Sequence, residues 1–293
     1  MEFESYLIER QKMVERALDR AVPKATTKPV TIHKAMRYSL MAGGKRLRPI
    51  LCLAAAEACG GAPEPALPLA CAVECLHTYS LVHDDLPSMD NDDFRRGKPT
   101  CHKVFGDGMA ILTGDALLTL AFDLVAQADS WPRYDVRALI REMADAAGSL
   151  KLIAGQVADL EGEGKPTSKN QLQFIHECKT AALLTTSIRF GAMSANATPK
   201  KLEHLTTFGR SLGLAFQVID DILDVTQTTE KLGKSAGKDV AAQKATYPSV
   251  FGLETSYRKA KTLTKQARTS LESFGKKAAP LHALADHLLN RDY

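Results

Sequence analysis

Aromatic residues are scarce in this chain, 6% of its 293 residues, with Trp131 the one tryptophan. Its 45% hydrophobic content must therefore come mainly from Ala, Leu and Val, a composition that suits packed helices. Nowhere do 18 apolar residues run together, and Met1 to Arg20 is amphipathic, with no charged-then-apolar signal pattern. Those two absences predict a soluble, cytoplasmic protein without an integral membrane segment. The six cysteines include no CxxC pair, and Cys71 and Cys75 sit in an apolar helical run, which predicts buried reduced thiols rather than disulfides or zinc. Charge of neither sign dominates: 38 Lys plus Arg stand against 34 Asp plus Glu, a net of +4 with no long basic tract, so a nucleic-acid partner is excluded. GxSxG, HExxH and GxGxxG are all missing. Gly233-Lys234-Ser235 imitates the end of a P-loop, but Thr228 stands where that motif needs glycine. Nucleophilic and hydride-transfer chemistries thus lack their usual machinery.

What the chain does have is two aspartate clusters, Asp84-Asp85-Leu86-Pro87-Ser88-Met89-Asp90 and Asp220-Asp221-Ile222-Leu223-Asp224. One acidic run is commonly a solvated helix cap. Two of them, each behind an apolar helical run, ask for another reason. Unit anions about 4 Å apart repel by roughly 4 kcal/mol at an effective dielectric near 20, so gathered carboxylates need cations. Hard oxygen donors favour Mg²⁺, with Mn²⁺ a possible substitute, and Mg²⁺ usually shares its remaining positions with substrate phosphates. A diphosphate substrate is the expectation.

Nearly every segment carries the 3.6-residue period, predicting helices near 31–41, 49–59, 64–85, 107–127, 135–160, 168–192, 200–225, 246–273 and 279–290. Thr31 is the expected cap of the first and Pro49 the opening residue of the second. No link divides the chain, so residues 1–293 read as one all-α domain. The links 86–106 and 226–245 follow the two clusters, where coverings for a charged substrate would sit. Gln217, Asp221 and Asp224 fall at i, i+4 and i+7, one helical stripe with Asp220 beside it. His77 and Asp84 are a heptad apart on one face. Pro87 disfavours helix at Leu86, so the helix should end near Asp85 and the chain bend to return Asp90. Lys45, Arg46 and Arg48 lie at a helix junction whose free N–H groups suit an anion. Arg95 and Arg96 follow the first cluster; Lys234 and Lys244 follow the second.

Gly-Gly-Lys-Arg-Leu-Arg-Pro at 43–49, His77 with Asp84-Asp85-x4-Asp90, Arg95-Arg96-Gly97, Gly114-Asp115, Lys179-Thr180, Gln217 with Asp220-Asp221-x2-Asp224, and Gly233-Lys234 together resemble the trans-isoprenyl diphosphate synthases, in order and spacing. The resemblance is nearest to bacterial farnesyl diphosphate synthases and runs from about residue 31 to 250. It implies an isoprenoid-synthase-type helical bundle around a deep central cavity, usually a homodimer. Asp84, Asp85, Asp90 and Asp220, with Asp221 and Asp224, would hold Mg²⁺ against the allylic diphosphate. Lys45, Arg48, His77 and Arg96 would bind isopentenyl diphosphate; Arg95, Lys179, Lys234 and Lys244 the allylic diphosphate, with Lys238 another candidate beside Lys244. Thr180 and Gln217 would face the allylic cation. Tyr79, five residues before Asp84 and about 7–8 Å down the helix, would be a floor that stops growth at fifteen carbons. The expected product is farnesyl diphosphate, with geranylgeranyl diphosphate the alternative. A non-catalytic subunit would tolerate broken clusters, and both are intact.

Overall fold

The computed structural model describes residues 2–162, 164–226 and 245–289. Lys234, Lys238 and Lys244 lie outside them, with nearly all of the 226–245 link. The chain is all-α. In order come α1 (Phe3–Ala21), α2 (Val30–Leu40), α3 (Leu47–Ala58), α4 (Leu67–Asp84), α5 (Cys101–Phe105), α6 (Asp107–Ala126), α7 (Val136–Ala147), α8 (Leu152–Gly162), α9 (Lys169–Ile175), a π-helical segment His176–Ala181, α10 (Ala182–Ser194), α11 (Pro199–Thr226), α12 (Tyr247–Phe251), α13 (Leu253–Ser270) and α14 (Ala279–Leu289). Residues gather into two compact units, Met1–Met143 with Phe190–Asn196, and Ala144–Arg189 with Ala197–Tyr293.

In the first unit α4 is the central helix, packed by α1, α2, α3 and α6. Leu69, Ala70, Ala72, Val73, Cys75 and Leu76 are wholly buried on successive faces. Such a helix has no polar side to turn to water, and each large apolar side chain contributes about 1.5–3 kcal/mol by leaving it. One consequence touches the membrane expectation. Helix α6 is, contrary to that reading, long and apolar enough to cross a bilayer by length and composition. Here Ala110, Leu117, Ala121 and Val125 are buried as α6 packs along α4. All six cysteines are free thiols, and every one except Cys59 is buried.

Several boundaries differ from the periodic reading. Helix α2 begins at Val30 with Pro29 as its cap residue, so Thr31 is inside the helix and does not cap it. Pro49 is the third residue of α3, not its first, a position where its missing N–H is not needed. The run 135–160 breaks between α7 and α8 around Gly148, and 246–273 breaks at Gly252, whose φ of +84° no helix accommodates. Between Asp90 and α5 the chain forms a two-residue hairpin, β1 (Phe94–Arg95) against β2 (Lys98–Pro99), which no alternating pattern announced.

In the second unit α11 packs along α13 and against the π-helical segment. Gly213 permits that contact: a Cβ there would stand 2.7 Å from the Ala181 Cα. Backbone cannot yield as a side-chain tip would. Gly213→Ala is therefore expected to destabilise the protein by about 3 kcal/mol, read as a lower urea midpoint at unchanged slope; a shift below a third of that would show that the two segments part easily.

Candidate active site

Helix α4 ends at Asp84, with Asp85 as its cap, where Pro87 requires. The bend that follows is closed by backbone bonds: Asp90 N donates to Asp84 O at 2.8 Å, and Asn91 N to Leu86 O at 3.1 Å. Asp84 and Asp90 are thus brought side by side, as the motif needs. Asp85 is buried and does something else. Arg95 Nε donates to both of its oxygens, at 2.8 and 2.9 Å, and Arg95 Nη2 to Oδ1 at 2.5 Å. Burial raises the Asp85 carboxyl above its usual range and Arg95 pulls it back. So two groups expected to meet substrate or metal separately are paired, the hairpin carrying Arg95 to the aspartate.

Basic groups of the same unit form a cradle. Lys45 is exposed and Arg46 is buried, so neighbours in sequence point apart. Gly44, at φ +120°, holds a conformation that L side chains rarely adopt, and the Arg96 guanidinium lies against it, donating to the Gly43 carbonyl. Arg48 is lowered to about 10, by burial first and by Arg96, with Glu74 opposing. His77 is held well below its usual value by burial and then by Arg48, Arg96, Arg95 and Arg46. It is a neutral imidazole among cations, able to donate to an anion without adding charge. Tyr79 is buried one turn before His83, its ring edge-on to that imidazole at 5.6 Å.

The second unit holds a cavity of about 160 Å³ lined by Asp159, His176, Lys179, Thr180, Gln217 and Asp221 among others. Its wall is the π-helical segment, whose extra residue per turn sets Lys179 and Thr180 out of α-helical phase. Lys179 Nζ donates to Asp159 Oδ2 at 2.6 Å. Thr180 Oγ1 donates to Gln217 Oε1 at 3.0 Å, and Gln217 Nε2 to Asp221 Oδ1 at 2.9 Å. Asp221 Oδ2 accepts from the Tyr247 N–H at 2.7 Å, with His176 Nε2 at 3.4 Å. Burial keeps that imidazole neutral, lowering it to about 4. The i, i+4 relation of Gln217 and Asp221 was legible; Asp159, His176 and Tyr247 were not singled out, and only the CKT sequence beside His176 could have pointed there. Asp220 is half-buried and Asp224 buried, with Asp224 Oδ2 lacking a hydrogen-bond partner among the described residues.

A metal would need oxygen donors, and these are of the right kind. Among the described residues no group of three or more His, Cys, Asp or Glu converges to hold an ion unaided. The set nevertheless fits Mg²⁺ shared with a diphosphate, for a buried carboxylate oxygen without a donor, as on Asp224, is costly unless a cation meets it.

A sequence profile described as polyprenyl synthetase matches residues 29–281. The chain belongs to that family. Among its relatives, the "Heterodimeric geranylgeranyl pyrophosphate synthase large subunit 1, chloroplastic" of Arabidopsis thaliana is 51% identical over 99% of this chain and 80% of its own length. The "Geranylgeranyl diphosphate synthase" of Cyanophora paradoxa is 48% identical over 98% of this chain and 96% of its own. Among solved structures, an FPP/GFPP synthase from Zymomonas mobilis superposes with a TM-score of 0.87 at 34% identity, over 98% of each chain. This polyprenyl synthetase is accordingly a prenyltransferase of isoprenoid biosynthesis that uses isoprenyl diphosphates.

Proposed function

We propose that the chain is a Mg²⁺-dependent geranylgeranyl diphosphate synthase, adding isopentenyl units to allylic diphosphates up to twenty carbons. The observation that carries the length is the pair of geranylgeranyl synthases at 48% and 51% identity over nearly the whole chain. It displaces the farnesyl product as the main reading. Bound Mg²⁺ would neutralise the departing diphosphate, and Asp84, Asp90, Asp220 and Asp224 would hold it. Asp85 and Asp221, spent on Arg95 and on Gln217 and Tyr247, orient those neighbours. Lys179, Arg95, Lys234 and Lys244 would be the ligands of the allylic diphosphate. Lys45, Arg48, His77 and Arg96 would hold isopentenyl diphosphate. The allylic C–O bond breaks with its electron pair on the diphosphate, and the isopentenyl double bond attacks the carbon left behind. Thr180 and Gln217 direct oxygens at that cation, and the released diphosphate takes the proton. Fixed charges and positioning supply the rate.

A second reading, a farnesyl product, is favoured by Tyr79, a buried aromatic five residues before Asp84. Labelled isopentenyl diphosphate with each allylic primer separates the two. Mainly C20 product is expected from the native chain. A native stop at C15 that Tyr79→Ala releases to C20 would restore the farnesyl reading and make Tyr79 the floor. We further propose one synthase domain, since the family match spans both compact units, and a homodimer in the cytoplasm. Light scattering tests the assembly; because the Arabidopsis relative is named heterodimeric, a monomer that pairs only with a different subunit would overturn it.

A further inference from the structure

Arg46 is the cation of the 43–49 motif that the proposed chemistry leaves unused. Its φ of +49° puts a non-glycine residue in the left-handed region just before α3, a strained conformation that surrounding contacts must hold. Those contacts are inside the protein. Arg46 Nη1 donates to Glu74 Oε1 at 2.8 Å and Nη2 to the Leu40 carbonyl at 2.8 Å, while Glu15 Oε1 lies 3.9 Å from Nε. The Arg46 and Glu74 side chains are only 1% and 2% exposed. A buried pair of this kind is rarely worth its desolvation as a source of stability, so its placement asks for another role.

Glu74 is buried on α4, three residues before His77. Besides Arg46, its charge acts on Arg48 and on Arg96, favouring the charged form of each. Clustered cations disfavour one another's charge before any anion arrives: Arg96 acts in this way on Arg48, and Arg46 and Arg95 act so on Arg96. Glu74 acts against that repulsion, and its carboxylate is held by the 2.8 Å bond from Arg46 Nη1.

We propose that Glu74 is the built-in counter-anion of the isopentenyl diphosphate cradle and Arg46 the positioning residue that holds its carboxylate, together setting how tightly the cradle takes a diphosphate. This rests on the reading of Lys45, Arg48, His77 and Arg96 as that cradle. It requires that the two partners, removed singly, shift diphosphate affinity in opposite directions. Glu74→Gln keeps the shape and an acceptor for Arg46 but leaves the cations uncompensated, so they should bind a diphosphate about tenfold more tightly. Arg46→Met frees Glu74 to pair with Arg48, and binding should weaken about tenfold.

The experiment measures inorganic diphosphate binding by calorimetry, together with the diphosphate-induced rise in Tm, for the native protein, each single variant and the pair. Expected are a larger Tm rise in Glu74→Gln, a smaller one in Arg46→Met, and affinity within about threefold of native when both charges go together. A purely structural role would lower affinity in every variant; that result, or unchanged affinity in Glu74→Gln, overturns the proposal. If Glu74→Gln does not fold, the paired variant and Arg46→Met decide it, with loss of binding in the pair against the proposal. Arg48→Ala is the control on the underlying reading. If it leaves KM for isopentenyl diphosphate unchanged, the cradle assignment falls and takes this inference with it; if KM rises while Glu74→Gln changes nothing, this inference alone falls.

Discussion

Asp84→Ala and Asp220→Ala are each expected to lower kcat by about three orders of magnitude or more while the protein stays folded. Ionisation of an allylic diphosphate puts a further full negative charge on the departing group, and that charge must be met as it develops. Carboxylate-held Mg²⁺ would meet it together with the proposed Lys and Arg ligands, so loss of one carboxylate would act on the bond-breaking step itself. Stability should move the other way or hardly at all. Asp84 ends α4, where a negative charge meets the carboxyl end of the helix dipole and two neighbouring aspartates, so removing it relieves repulsion. Turnover at saturating Mg²⁺, beside a thermal melt of the same preparation, checks both halves. Activity within tenfold of native in either variant would sink the assignment of that cluster to metal.

Arg48→Ala should raise KM for isopentenyl diphosphate about a hundredfold and leave KM for the allylic substrate within a few fold. The asymmetry follows from position. Arg48 shares its surroundings with Arg96, His77 and Glu74, and its guanidinium is buried enough that burial lowers its pKa to about 10. A desolvated cation gains most from an incoming anion because no water competes for it. Lys179, by contrast, belongs to the other unit, with Asp159 and the Thr180–Gln217 pair. Equal increases in both KM values would mean that the two diphosphate positions have been exchanged or share one set of cations.

Some of this protein was decided by its sequence alone. A 3.6-residue apolar period sustained from α2 to α13 leaves no other fold class open, because each helix must bury its stripe on another. Pro87 marks the end of α4 at the first aspartates, since its ring disfavours helical geometry at Leu86. Spacing puts Gln217 and Asp221 within a hydrogen bond, because residues four apart on a helix are neighbours. Other features came only with tertiary structure. Asp85 meets Arg95 across 10 residues, Lys179 meets Asp159 across 20, and Arg46 meets Glu74 across 28. Nothing in a local pattern says which of several cations a given carboxylate will face. The π-helical phase at His176–Ala181 was equally hidden, since one extra residue in a turn changes no residue's propensity; close packing against Gly213 and Gly155 accompanies it. Local sequence chose the helices, because their hydrogen bonds and apolar faces are local. Chain folding chose the charge partners, because a buried ion is tolerated only beside an opposite charge that distant sequence delivers.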